Sequence, residues 1–243
     1  MPSWLLLILF CAGASRPVLA QSPPPADFWQ QQLAYGRVRA AYARHWPTLA
    51  ARLRAQQLDT ARLEVFFRLL KTHRQLEVWA RNRGEPAFQL LGEWPLAATS
   101  GRLGPKRRAG DGQVPEGNYT INRFNPLSTY HLSLGLDYPT PDDVLATGLA
   151  DPGGDIFLHG GSVTEGCLPL TDAGIEQLYL LAVAARAAGQ ARLTVQLLPF
   201  PLTEVALARH PASPHLAFWR SLQPAYSYFE IHHAPLPEAP AAP

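Results

Sequence analysis

The sequence predicts an α+β fold: a β-rich domain with helices in front of it and further helices flanking its sheet. Residues 27–57 carry apolar side chains at helical spacing, whereas from Leu63 onward the pattern changes to short runs of β-formers separated by polar turns. A single Ala/Leu-rich stretch at 171–188 then returns to the helical period. With 47% hydrophobic and 16% charged residues over 243 positions, the chain can build a sizeable core, which excludes the disordered and fibrous classes. Its 21 basic and 19 acidic residues net +2 and form no runs, so no nucleic-acid partner is expected.

Residues 1–20 read as a signal peptide: an apolar run from Trp4 to Phe10, small residues, then Val18-Leu19-Ala20. Cleavage is expected after Ala20, giving an exported or periplasmic protein with no transmembrane segment, because the apolar run is too short to span about 30 Å of hydrocarbon. Residues 21–62 form an N-terminal helical segment, with Asp27 suited to cap its start and Pro47 expected to break it. Strands are predicted at 63–70, 75–80 and 87–91 as an antiparallel meander, then at 118–124, 129–134 and 155–158. Helix 171–188, capped by Thr171 or Asp172 and ended by Gly189, precedes a buried strand at 192–200 and a helix at 213–222. Residues 63–230 make up the domain, and 231–243 are a Pro/Ala-rich tail.

Removal of residues 1–20 deletes Cys11 and leaves Cys167 as the only cysteine. A lone thiol in an oxidising compartment reads equally as a buried structural side chain or as a functional one. Its surroundings add information: His159-Gly160-Gly161 follows a predicted strand, and Gly166-Cys167 precedes a predicted helix. An imidazole within about 3 Å generates thiolate at neutral pH, and a helix N-terminus favours it. Glycine beside the nucleophile lets an amide face a developing oxyanion. The candidate nucleophile is therefore Cys167 and its base His159, with Gly160 and Gly166 as backbone support.

His159-Gly160, then Thr164-Glu165-Gly166-Cys167, resembles the L,D-transpeptidase catalytic domain (YkuD-type), whose pattern is His-Gly, a variable loop and Ser/Thr-His-Gly-Cys. The short loop is similar to the YafK-like murein branch, as are Gly101-Arg102-Leu103-Gly104-Pro105-Lys106, 110–117, 125–133, Thr171-Asp172 and Leu198-Pro199-Phe200. The resemblance covers roughly 63–230. Glu165 stands where the broad family has a second histidine, and Ser162 where YafK-like members carry a second cysteine.

The resemblance implies that fold and a peptidoglycan stem peptide as substrate. Cys167 would attack the carbonyl at the L-centre of the diamino acid, expel a D-residue and hold a thioester, and His159 would move the proton. An amine acceptor gives transfer; water gives L,D-carboxypeptidase or amidase activity, for example release of a wall-linked lipoprotein. A non-catalytic wall-binding module is the third reading. Lys106, Arg123, Tyr130 and His131 are candidate substrate-binding residues, each also readable as structural or solvated. No metal site has ligand spacing and no cofactor is implied.

Overall fold

The computed structural model describes residues 25–149 and 151–237; the expected signal peptide and the end of the tail lie outside them. The helical stretch at the N-terminus is two helices, α1 (Pro25–Leu33) and α2 (Gly36–Ala55). Pro47 does not break the segment as expected. It sits inside α2, where its fixed φ suits the helix and only one backbone donor is lost, and the chain turns instead at Ala34-Tyr35, ahead of Gly36.

Eight strands follow in one sheet: β1 (Leu63–Leu70), β2 (Gln75–Asn82), β3 (Gln89–Pro95), β4 (Gly117–Asn125), β5 (Ser133–Leu136), β6 (Phe157–His159), β7 (Leu168–Pro169) and β8 (Thr194–Leu198). Their order is β3-β2-β1-β8-β4-β5-β6-β7. The first three form the expected antiparallel meander. The late strand β8 then inserts between β1 and β4, parallel to the former and antiparallel to the latter, so the sheet is mixed. The α+β architecture read from the sequence, a β-rich domain with helices before it and beside its sheet, is the one observed.

The connection β7 to β8 is α4 (Thr171–Ala187), whose Leu, Ile, Val and Ala side chains are almost entirely buried against the sheet. Thr171 acts as expected at its start, its hydroxyl accepting the Gly174 N–H. Helices α1 and α2 pack on the outer side of α4, and Val38, Leu49 and Leu53 join the same core as the sheet. Three short elements were not expected: β7, α3 (Pro141–Thr147) and α5 (Glu204–Leu207). The last helix, α6 (Leu216–His232), runs well past 222 and through Pro224, and its Trp219 and Phe229 are buried.

Candidate active site

Strand register alone brings the two candidate catalytic residues together. β6 and β7 are parallel with Leu158 opposite Leu168, so Cys167, one residue before β7, lies beside Phe157. Side chains alternate along a strand, so Phe157 and His159 share a face and Cys167 shares it with them. The antiparallel pairings Ser133 with His159, Gly135 with Phe157, Asn125 with Ser133 and Arg123 with Gly135 extend that face across two more strands. The result is two rungs: Arg123, Gly135, Phe157, Cys167, and next to it Asn125, Ser133, His159. Above them lies a cavity of about 380 Å³ lined by Asn125, Ser128, Thr129, Tyr130, Ser133, Asp155, Phe157, His159 and Cys167.

The imidazole of His159 is buried, with its Nδ1 2.6 Å from the Gly160 carbonyl and its ring 4.7 Å from that of Tyr130. A carbonyl only accepts, so the neutral ring carries its proton on Nδ1 and keeps Nε2 as a lone-pair base. Burial pushes this histidine below its ordinary value, with the Gly160 carbonyl working in the other direction. Cys167 is half-buried, and its thiol donates to the Asp155 carbonyl at 3.4 Å. Burial pushes that thiol up; the Phe157 amide and the Lys106 charge pull it down, and the Asp155 charge adds to the rise. The expected lowering by the helix end is not what dominates: β7 separates Cys167 from α4, and desolvation outweighs the favourable contacts. Both shifts favour the uncharged forms, thiol and imidazole.

The glycines serve packing more than the substrate. Gly166 has φ +103°, its amide donates to Ser100 Oγ at 2.7 Å, and a Cβ there would come within 2.8 Å of the Gln113 carbonyl oxygen. Its amide is thus engaged rather than aimed at the cavity. Gly160 donates to the Tyr130 and Leu132 carbonyls, and a Cβ would meet Asp172 Oδ1 at 2.5 Å. Thr164 Oγ1 donates to the Cys167 carbonyl at 2.7 Å and closes the turn before the strand.

Of the other sequence candidates, Tyr130 lines the cavity and is 49% exposed. Arg123 lies flat over Phe157, 4.6 Å from its ring centroid, and pairs with Asp155 at 3.0 Å, so it flanks the cavity rather than lining it. Lys106 is not a surface residue. It is 4% exposed, and its Nζ donates to Asp111 Oδ1 (2.7 Å) and the Arg108 carbonyl (2.8 Å), tying the loop behind Gly166 together. His131 faces away from the cavity, its Nε2 held by Glu176 Oε1 at 2.7 Å. Asn125, Ser128, Ser133 and Asp155 were missed; the two-residue alternation of β4, β5 and β6 was the signal that marks Asn125 and Ser133. Among the described residues no group of three or more His, Cys, Asp or Glu could hold a metal, and no helix is long and apolar enough to cross a membrane.

Residues 65–187 match the family model of the L,D-transpeptidase catalytic domain, YkuD. A protein of Escherichia coli, in strain K12 and in O157:H7, provisionally named L,D-transpeptidase YafK, is 34% identical over 173 residues, 70% of this chain and 68% of its own length. The crystal structure of the helical cell shape determining protein Pgp2 from Campylobacter jejuni aligns at 22% identity with a TM-score of 0.44, over 56% of this chain and 47% of that one. This chain thus spans about half the length of that solved relative.

Proposed function

The chain belongs to the L,D-transpeptidase catalytic-domain family, and on that premise we propose that it acylates Cys167 with a peptidoglycan stem peptide and passes the acyl group to an amine. The observation that carries this reading is the shared face of β6 and β7, which presents a thiol and an imidazole with a free Nε2 to one open cavity. A non-catalytic wall-binding module has no need of either group there.

The thiol gives its proton to His159 Nε2 as Sγ attacks the carbonyl following the L-centre of the diamino acid. A C–S bond forms, the tetrahedral intermediate collapses, and the leaving D-residue takes the proton from the imidazolium as its C–N bond breaks. The thioester is then attacked by an incoming amine, with His159 accepting that amine's proton and returning it to Sγ. The Gly160 carbonyl stabilises the imidazolium through Nδ1–H. Two neutral partners suit this exchange, because neither has to be desolvated as an ion before substrate arrives. The Cys167 amide is the proposed oxyanion donor, since the Gly166 amide is bound to Ser100.

The test is incubation of the mature protein with tetrapeptide muropeptides, with and without an added amine acceptor, followed by intact mass spectrometry. The expected result is an acyl adduct on Cys167, absent in Cys167→Ala, and amine-exchanged products. Products that carry only added water reassign the enzyme as an L,D-carboxypeptidase or amidase. Wild type that forms neither adduct nor product, where a related enzyme turns over, defeats the reading.

A further inference from the structure

Part of the cavity wall is held by the N-terminal helices. Ser128, Thr129 and Tyr130, in the loop between β4 and β5, line the cavity, and the Tyr130 ring lies tilted against the His159 imidazole, 4.7 Å between centroids. The fold leaves this loop little intrinsic support: His131 occupies φ +70°, a conformation that a residue with a Cβ adopts only when held.

Beside its own turn bonds, Leu127 N–H to Asn125 Oδ1 and Tyr130 N–H to Ser128 Oγ, two sets of contacts from the helices hold it. In the first turn of α2, Arg37 Nη1 donates to the Ser128 carbonyl at 2.7 Å and to the His131 carbonyl at 2.8 Å, gripping the loop at two points that bracket Tyr130. Further along α2, Arg44 and His45 meet the buried Glu176 of α4, which also holds the His131 ring. Burial pushes the Glu176 carboxyl up, but hydrogen bonds from Arg44, His131 and His45 outweigh it and keep the group below its ordinary range. Glu176 is thereby an anionic post between helix and loop. Between the grips, the Tyr130 carbonyl accepts the Gly160 amide at 3.0 Å, so loop position is passed directly to the residue whose own carbonyl fixes His159.

We propose that Arg37 is a positioning residue for the cleft, acting through the loop at 126–132, and that α2 is therefore part of the cleft's support rather than a separate appendage. This rests on the cavity being the reaction site. Both bonds of Arg37 to the loop go to backbone carbonyls, so it acts on the backbone that presents Ser128 and Tyr130 to substrate.

The experiment compares wild type, Arg37→Met and Arg37→Lys as full mature chains. Amide hydrogen exchange is read by mass spectrometry, and kcat and KM are measured on a tetrapeptide muropeptide. Loss of two charge-assisted bonds is expected to speed exchange in 127–132 and at Gly160 by about tenfold in Arg37→Met, with the rest of the chain unchanged. A loosened substrate wall should cost about tenfold in kcat/KM, mostly as a raised KM, and Arg37→Lys should recover most of it. Unchanged exchange in the loop overturns the proposal, and so does faster exchange spread over the whole chain with lysine no better than methionine. Wild type that leaves muropeptides untouched defeats the proposed function alone, because the exchange pattern still decides whether Arg37 holds the loop.

Discussion

Gly166→Ala, set against Gly161→Ala, measures how the loop before Cys167, the proposed nucleophile, is built. Both glycines have positive φ, +103° and +72°, so each alanine brings backbone strain of about 1–2 kcal/mol. Only one adds a collision: a Cβ at Gly166 comes within 2.8 Å of the Gln113 backbone oxygen, while at Gly161 nothing lies within 4 Å. A backbone oxygen cannot rotate away as a side chain does, so overpacking adds about 1–3 kcal/mol at Gly166. The expected loss is about 1–2 kcal/mol for Gly161→Ala and about 2–5 for Gly166→Ala. At about 2–4 °C per kcal/mol for a chain of this size, the second variant should melt roughly 4–20 °C below wild type and below the first. Differential scanning fluorimetry reads the melts, and iodoacetamide labelling of Cys167 reads the thiol's displacement. Equal losses in the two variants would refute the claim that the approach of Gln113 fixes residue 166 as glycine.

Other consequences follow from the electrostatics. Because burial lowers His159, the acid limb of kcat/KM should fall below about pH 6.5, the ordinary imidazole value, and the limb should vanish with activity in His159→Gln. The unfolded chain binds the proton first, so this group's contribution to stability is complete above about pH 6.5 and is lost as pH falls through the lower folded value. Melting temperature should therefore decline more steeply on mild acidification in wild type than in His159→Gln. Asp111 is partly buried, which pushes its carboxyl up, but Lys106 and the amides of Arg107, Arg108 and Gln113 outweigh this and hold it at about 2. Its stabilisation is present above about pH 3.8 and is lost only as pH falls through about 2. Asp111→Ala leaves the buried Lys106 ammonium with the Arg108 carbonyl alone, a loss of about 3 kcal/mol in urea unfolding at pH 7. An unchanged melt would remove the pairing from the account.

Local pattern made most of the elements legible. The run from Leu63 to Leu70 is a strand over its full predicted length because its apolar and β-branched or aromatic residues are buried on both faces. Thr140-Pro141-Asp142-Asp143 carried a capping box for α3 that was overlooked, as Thr140 and Asp143 bond reciprocally. The predicted strand at 129–134 starts late, at Ser133, because Arg37 and Glu176 pull residues 128–131 out of the sheet; those partners lie far away in sequence. The same distance hides the role of His131, whose carboxylate partner Glu176 is set by packing, whereas Lys106 bonds within its own loop to Asp111 and the Arg108 carbonyl. Cys167 and His159 were legible through their glycine-flanked motif, whereas the insertion of β8 beside β1, which makes the sheet mixed, leaves no local trace.

The thiol and the imidazole owe their relative placement to ladder pairing between β6 and β7 and not to the segment that joins them. Both ends of that segment are anchored, Gly160 on Tyr130 and Gly166 on Ser100, while Ser162, Val163 and Glu165 stand in solvent. Thr164 apart, whose hydroxyl closes the turn on the Cys167 carbonyl, the stretch between the anchors is a solvent-facing spacer expected to accept other residues. It is the natural place to graft a reporter, a tether or a new recognition loop at the rim of this enzyme.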